Sequence, residues 1–410
     1  MRSIDIAVIG IGRVGLPLAL SLSKEGFKTV GIDLNKELVE LVNKKVMPFK
    51  ENGYNELIKK TNLFASTDIS IIKNVKNIII TVGTPLLANI ETDLAQLNKV
   101  LDNIVEFIKP NHNIILRSTV APKTTKYVHR FLERNTKFLI GKNLFLSFCP
   151  ERIAEGKALD ELYSLPQIIG SSDKESSKKA EFIFSKLSPK TFHTDYTSAE
   201  LVKLFNNTYR YINFAIGNQF SMIAESFNVN IHEVVKMCNT DYPRSNISLP
   251  GLTAGTCLRK DFGMINETSS HSDLLLNSWK INEFMPKFLI EKLLENNEIF
   301  GKKIGILGYT FKKDADDTRD SLVPKLIRYI QREVPEEIII HEPNISGKID
   351  NNFKNNSLDI LIKKSEIIFI AVNHSTFIEN IDSIILNSKV NCTFVDIWNV
   401  SGKKQIIFSR

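Results

Sequence analysis

Cysteine is scarce in this chain and nowhere arranged in pairs. Cys149, Cys238, Cys257 and Cys392 stand far apart and form no C-x-x-C. That spacing argues against a zinc site or a disulfide framework and fits a reducing cytoplasm. Lysine and arginine exceed aspartate and glutamate by seven, yet no basic run is interleaved with aromatics, so no nucleic-acid partner is expected. A modest basic excess marks a solvated surface or a preference for anionic small molecules. Long apolar runs are missing too. The stretch from Arg2 to Leu22 is broken by Asp5, Arg13 and three glycines, and no small-residue cleavage site follows it. Without a span long enough for a bilayer, no membrane partner is expected and the cytoplasm is the expected compartment. There is no short-period repeat, no low-complexity linker and no cluster of metal-ligand spacing, so no metal is expected.

At 410 residues the chain is too long for one ordinary core, and two or three domains are expected. The first half alternates short β-rich runs with amphipathic segments. "IDIAVIG" (4–10), "KTVGID" (28–33), "NIIITVGTP" (77–85), "NIILRSTV" (113–120) and "NLFLSFCPE" (143–151) are nearly unbroken apolar runs. Such runs suit strands buried on both faces of a parallel sheet. From about Ser198 the pattern becomes helical: a long proline-free segment, then "SDLLLNSWKINEFMPKFLIEKLLEN" after a cysteine-bearing loop. Beyond Gly301 the βα alternation restarts with "KKIGILGYTF", "EEIIIHEP", "SEIIFIAVN" and "CTFVDIWN". The reading is α/β: two Rossmann-like, doubly wound parallel-sheet domains joined by a helical central segment. The boundaries fall at residues 1–196, 197–298 and 299–410.

Gly10 to Gly15, "GIGRVG", sits between a strand and a helix. Gly10 permits the tight turn, Gly12 lets backbone approach a pyrophosphate, and Gly15 allows close helix–strand packing. The helix N-terminus then faces the phosphates. Asp33 ends the next strand, where a carboxylate accepts from the ribose 2′-hydroxyl of NAD and repels a 2′-phosphate. The cofactor expected is NAD. Lys203 and Asn207 are four apart on the long helical segment and share a face; apolar neighbours would bury the lysine, lowering its pKa and suiting it to acid catalysis or donation to an alkoxide. Cys257 follows Gly255 and Thr256 and precedes Lys260 and Asp261. Small neighbours leave space for something to approach the sulfur, and a nearby base favours the thiolate.

Several motifs in order, "GIGRVGLP", "VGTP", "RSTV", "CPERIAEGKAL", "ELVKLFNN", "GTCLRKD" and "LGYTFKKDADDTRDS", resemble the UDP-glucose/GDP-mannose dehydrogenase family over nearly the whole chain. The resemblance implies NAD-dependent, four-electron oxidation of a sugar C6 hydroxymethyl to a carboxylate. Cys257 would carry the thiohemiacetal and the thioester, Lys203 with Asn207 would stabilise the oxyanion, and Asp261 would orient water or tune Lys203. Thr119 would hold a water near the nicotinamide, and Glu151 would be the general base for thioester hydrolysis. Along the cofactor it implies Arg13 and Val14 in the glycine turn, Val82, Thr84, Pro85 and Ser118 at two strand ends, and Glu155 and Arg319. Lys312, Arg152, Gly251 and Gly255 would meet the substrate. Arg244 would reach across a homodimer interface formed by the central helices. Cys149, Cys238 and Cys392 are assigned to the core.

The segment "YPRSNISLPGLTAGTC" and the Arg210-containing "NNTYRYINFAIGNQFS" resemble the branch that oxidises UDP-N-acetylmannosamine or UDP-N-acetylglucosamine, making Arg210 a candidate substrate contact. Lys260-Asp261 is more typical of the UDP-glucose branch, while Gln219 stands where a Glu is usual and Trp398 where an Arg is usual in the resembling pattern. UDP-N-acetylmannosamine is favoured, with UDP-glucose and UDP-N-acetylglucosamine as alternatives, and surface polysaccharide as the destination of the uronic acid. Two other readings are a two-electron β-hydroxyacid dehydrogenase and a silent nucleotide-sugar-binding subunit; the first has no use for Cys257 or a third α/β domain, and retention of Cys257, Lys203, Asn207 and Asp261 speaks against the second. Replacing Asp33 by alanine is expected to weaken NAD at least tenfold while leaving sugar-nucleotide affinity within about twofold. Equal weakening of both, measured by titration calorimetry, would remove Asp33 from the ribose.

Overall fold

The structure, a computed structural model, describes residues 4–87 and 91–410. The chain divides into two compact units, Met1–Asn206 with Gly263–Ser270 and Asn207–Phe262 with His271–Arg410. The first is built on an eight-stranded sheet. Its strands are β1 (Ile4–Ile9), β2 (Thr29–Ile32), β3 (Phe64–Ser66), β4 (Val75–Ile80), β5 (Asn113–Leu116), β6 (Phe145–Phe148), β7 (Gln167–Ser171) and β8 (Thr191–Thr194). Their order is β3-β2-β1-β4-β5-β6-β7-β8, parallel throughout except where β7 runs against β6. The apolar runs are strands because both faces are covered: Ala7, Val8, Ile78, Ile79, Ile114 and Ile115 have no exposed surface. The order reverses between β1 and β4, which opens a crevice at their carboxyl ends.

The second unit carries β9 (Lys303–Leu307), β10 (Glu337–His341), β11 (Ile367–Ile370), β12 (Thr393–Val395) and β13 (Ile407–Ser409). They are ordered β10-β9-β11-β12-β13, with only β13 antiparallel to its neighbour. The two sheets confirm the expected α/β class with two Rossmann-like halves. The short strands β3, β8 and β13 were not foreseen, because three or four residues at a sheet edge carry too little periodicity to stand out, and neither was β7, a five-residue strand between β6 and β8.

The long helix runs Tyr196–Ser226 and a second spans Asp273–Leu294, with Pro286 inside it. The cysteine region differs from expectation: Thr256–Thr268 is a helix, so Cys257 lies in its first turn rather than on a loop. Gly255, at φ +106°, makes the turn that starts it, a backbone state that side chains rarely tolerate.

Gly15 is the tightest point of the first unit. A Cβ there would lie 2.0 Å from the Gly10 carbonyl oxygen and 2.5 Å from Thr81 Oγ1, neither of which can withdraw. Gly15→Ala is therefore expected to cost about 1–3 kcal/mol through overpacking. A thermal melt should show Tm several degrees lower, and an unchanged Tm would show that the turn yields more than this packing implies.

Candidate functional site

The carboxyl ends of β1, β4, β5 and β6 deliver most of the residues singled out in the first unit. Gly10 takes φ +89° because its backbone turns directly against Val82, whose nitrogen would be 3.0 Å from a Cβ. Gly12 is the opposite case, with no atom within 4 Å of a Cβ, so its outer side is open for a ligand to meet the backbone. The helix Gly15–Lys24 has no side-chain cap at Val14; Leu16 N–H bonds the Gly12 carbonyl and Pro17 has none, so the Gly15 N–H at the helix start is the first-turn group open to an anion. Asp33 accepts from Ile11 N at 3.0 Å and Asn35 N at 2.9 Å, which uses about half of a carboxylate's acceptor sites. These features fit NAD: an open anion-binding turn and a carboxylate with capacity for a ribose hydroxyl.

The neighbouring strand ends are knitted together. Ser118 Oγ donates to the Val82 carbonyl at 2.7 Å, and Thr84 Oγ1 donates to the Thr119 carbonyl at 2.5 Å. Pro85 accepts from Asp93 N. Arg13 and Glu155, two of the expected cofactor residues, form an ion pair at 2.5 Å.

Glu151 is more heavily engaged than a free base would be. Its Oε2 accepts from Arg117 Nε at 2.8 Å and Nη2 at 2.5 Å, and its Oε1 from Arg152 N and Ile153 N. Four donors fill the carboxylate's acceptor sites, so a base role requires a water to share Oε1. Arg117 escaped the sequence reading although a signal was there, a charge inside the apolar run "NIILRSTV". It is 1% exposed and also donates to the Cys149 carbonyl and Gln167 Oε1. The buried Glu51 was missed too; it accepts from Gly156 N and Ala158 N and pins the segment after Glu151. Arg152 donates to the Pro166 carbonyl and to Asn206 Oδ1. Lys203 is 7% exposed and lies one helical turn before Asn207.

In the second unit Asn207 Nδ2 donates to Asp261 Oδ2 at 2.6 Å, and Asp261 has no exposed surface. Cys257, one turn before Asp261 on the cysteine helix, is exposed. By contrast, burial pushes the thiols of Cys149 and Cys392 up to about 12, which keeps them protonated and inert. Cys238 does not belong with them: it is exposed in the last turn of helix Ile231–Asn239, although it shares a face with buried Ile231 and Val235.

The glycines before Cys257 serve backbone packing. A Cβ on Gly255 would fall 2.5 Å from the Phe311 ring, and one on Gly251 2.2 Å from the Trp398 ring. Gly251 N donates to Asn218 Oδ1 at 2.8 Å and Gly255 N to the Asp320 carbonyl at 3.2 Å. Lys312 Nζ stands 5.7 Å from the Phe311 ring centre. Arg319 is paired within its own loop, its Nη2 2.6 Å from Asp317 Oδ2. Arg210 and Arg244 are both exposed, Arg244 stacked over Tyr242.

The second sheet repeats the first with one difference in use. Glu342, just after β10, holds the turn after β9 by accepting from Tyr309 N and Thr310 N, as Asp33 holds Ile11. It also accepts from Asn344 N, and lies 3.0 Å from His374 Nε2. Against the penalty of burial, these donors hold its carboxyl down at about 2. Its acceptor sites are consumed by protein, and it reads no ribose.

Comparison with known proteins agrees with this division of labour. The chain matches the UDP-glucose/GDP-mannose dehydrogenase family models for the NAD binding domain at residues 4–188, the central domain at 197–283 and the UDP binding domain at 305–403. It is 31% identical to a UDP-N-acetyl-D-mannosamine dehydrogenase of Methanocaldococcus jannaschii, over 97% of this chain and 95% of that protein. Among solved structures it resembles the UDP-D-ManNAc dehydrogenase of Pyrococcus horikoshii, with TM-score 0.88, 30% identity and 94% and 93% of the two chains covered. It also resembles the UDP-N-acetyl-mannosamine dehydrogenase Cap5O of Staphylococcus aureus, with TM-score 0.82, 28% identity and the same coverage. With all three domain models matched in order along the chain, the protein belongs to the UDP-glucose/GDP-mannose dehydrogenase family and binds NAD through its first domain.

Proposed function

We propose that the protein oxidises UDP-N-acetyl-D-mannosamine to UDP-N-acetyl-D-mannosaminuronate. The carrying observation is the exposed thiol of Cys257 in the first turn of its helix, one turn before the buried Asp261 that Asn207 holds at 2.6 Å. The choice of sugar rests on the relatives in Methanocaldococcus jannaschii and Pyrococcus horikoshii, each about 30% identical over most of the chain. Residues 1–196, 197–298 and 299–410 are its cofactor, central and UDP-sugar parts. The unpaired cysteines and the NAD requirement support a cytoplasmic setting.

Bound NAD would supply the hydride acceptor, one NAD for each of two oxidations, and in the first the C6 hydroxymethyl loses a hydride and its hydroxyl proton to become the aldehyde. The Cys257 sulfur adds to the C6 aldehyde carbon, forming a C–S bond while the carbonyl oxygen takes a proton. Loss of hydride from that thiohemiacetal regenerates a C=O as the thioester. Water then attacks the thioester carbon, the C–S bond breaks, and carboxylate and thiol are released. Lys203 is the proposed donor to the developing oxyanion, with Asn207 beside it in sequence register. Asp261, fixed by Asn207, orients water. Thr119 holds a water near the cofactor. Glu151 accepts the proton of the hydrolytic water through Oε1, held in place by Arg117. Arg210, Arg244, Lys312 and Arg152 are the proposed partners of the anionic substrate, and Arg319 of the cofactor.

A homodimer through the central helices is part of the same reading. Tyr209, Ile216, Phe220 and Ile223 lie along one face of the long helix and Phe227 follows directly after its end, and each is between 38% and 73% exposed. A stripe of five large apolar side chains at helical spacing is an interface in search of a partner. The isologous face of a second copy would cover it and present Arg244 to the neighbouring site.

Two tests follow. NADH formed per sugar consumed should be two with UDP-N-acetyl-D-mannosamine and lower or absent with UDP-glucose and UDP-N-acetylglucosamine. Cys257→Ser should yield one NADH or free aldehyde, with full conversion slowed on the order of 1,000-fold or more. Full conversion by that variant at the native rate removes Cys257 as the acyl carrier. Sedimentation should show a dimer that Phe220→Glu with Ile223→Glu converts to monomer, and a monomeric native protein would rule out the paired helices.

A further inference from the structure

Arg259 lies two residues after Cys257 on the cysteine helix and sits in a cluster of four charges. Its Nε is 2.9 Å from Glu283 Oε1, and its Nη1 is 3.4 Å from Asp320 Oδ1. Glu283 is 8% exposed and projects from helix Asp273–Leu294. Its second oxygen accepts from Lys325 Nζ at 2.8 Å, on helix Val323–Arg332. The Oε1 contact with Arg259 lacks hydrogen-bond alignment, so it acts as an ion contact. Two cations and two anions make the group neutral as a whole.

The cluster reaches the reactive turn by two routes. Asp320 takes the Arg259 guanidinium on its side chain and the Gly255 N–H on its carbonyl, gripping the start of the cysteine helix on both sides of the thiol. Asp320 itself is held at φ +54°, a state that a non-glycine residue keeps only when its surroundings impose it. The next residue back, Arg319, belongs to the same loop and is clamped on Asp317. Four elements therefore converge on Arg259: its own helix, the helix of Glu283, the helix of Lys325 and the Asp320 loop.

We propose that Arg259 is a positioning residue for the chemistry of Cys257, with the buried Glu283 as its anchor. The proposal rests on Cys257 being the acyl carrier. The thiol must capture the aldehyde before it departs, and a displacement of about 1 Å in a reacting group can cost on the order of 100-fold. Removing the Glu283 charge leaves Arg259 and Lys325 as like charges around a neutral amide, and the guanidinium loses its buried anchor. The first turn of the helix is then held to the Asp320 loop by the Gly255 hydrogen bond and the long, partly exposed Arg259–Asp320 contact alone. Aldehyde formation, which does not use the sulfur, continues, whereas capture fails.

The test uses the full-length protein with NAD, UDP-N-acetyl-D-mannosamine and hydroxylamine to trap free aldehyde. The native enzyme gives two NADH per sugar and no trapped aldehyde. Glu283→Gln and Arg259→Met are expected to lower the ratio toward one, release trapped aldehyde and reduce kcat about 10–100-fold. KM for the sugar nucleotide should move less than about threefold, and Arg259→Lys should recover most of the ratio. A ratio of two in every variant, with only Tm and total activity lowered, overturns the proposal and leaves the cluster a structural one. A second readout does not depend on turnover: the rate at which iodoacetamide alkylates Cys257, followed on its own peptide. At least a fivefold change in Glu283→Gln and Arg259→Met supports positioning, and an unchanged rate overturns it. Absence of two-NADH stoichiometry in the native protein, with the alkylation change present, would count against the acyl-carrier reading alone.

Discussion

The Asn207–Asp261 hydrogen bond is the interaction on which the reactive region depends. Asp261 is fully buried, and an ionised carboxylate in that position is costly unless donors meet it. Asn207 supplies one at 2.6 Å, and in doing so fixes the long helix to the cysteine helix. Once those two helices are locked, one turn of spacing determines everything else. Lys203 falls one turn before Asn207, and Cys257 one turn before Asp261. Helical periodicity carries that single buried contact to Cys257, one turn away on the same helix as Asp261. That economy is why the two motifs are short, and why each carries its residues at a spacing of four.

The two Rossmann-like sheets show how one fold is put to two uses. Each ends its second strand in a carboxylate that grips the turn after the first strand. Asp33 does so with two backbone N–H groups and retains acceptor capacity. Glu342 is buried, with three backbone donors and the His374 ring around it. A carboxylate saturated by protein stabilises its own turn but has nothing left for a ligand. Occupancy of lone pairs, more than the presence of the acid, separates the cofactor half from the other half. The same reasoning applies to Glu151, whose four donors make it rigid before they make it a base.

Much of this was legible in the sequence, and the reason differs from element to element. The central strands announced themselves because burial on both faces demands unbroken apolar runs such as "NIIITV". The glycine turn was legible because Gly10 and Gly15 answer steric demands that no other residue meets. The edge strands β3, β8 and β13 were not, since short edges need no pattern, and the interior β7 was too short to stand out. The start of the cysteine helix was hidden for another reason. "GTCLRKDF" is preceded by glycine-rich sequence, and only the contacts of Gly255 with Phe311 and Asp320 reveal that the glycines serve packing. Exposure of Cys238 was equally invisible: it shares a face with buried Ile231 and Val235, and only the fold shows that the cover stops before the last turn of helix Ile231–Asn239.

Charge placement is what sequence distance conceals most completely. Arg117 and Glu151 are 34 residues apart, and Arg259 and Glu283 lie on separate helices, yet each pair is a unit in the folded chain. In both, a buried acid is made tolerable by a guanidinium, and in both the guanidinium has a second acceptor: Gln167 for Arg117 and Asp320 for Arg259. Burying such groups gains little stability over an apolar replacement. Their value lies in direction, because a planar fork with two partners has few other ways to sit. One fork orients the loop of Glu151, and the other the first turn of the Cys257 helix. Buried charge is thus placed where it directs a backbone turn.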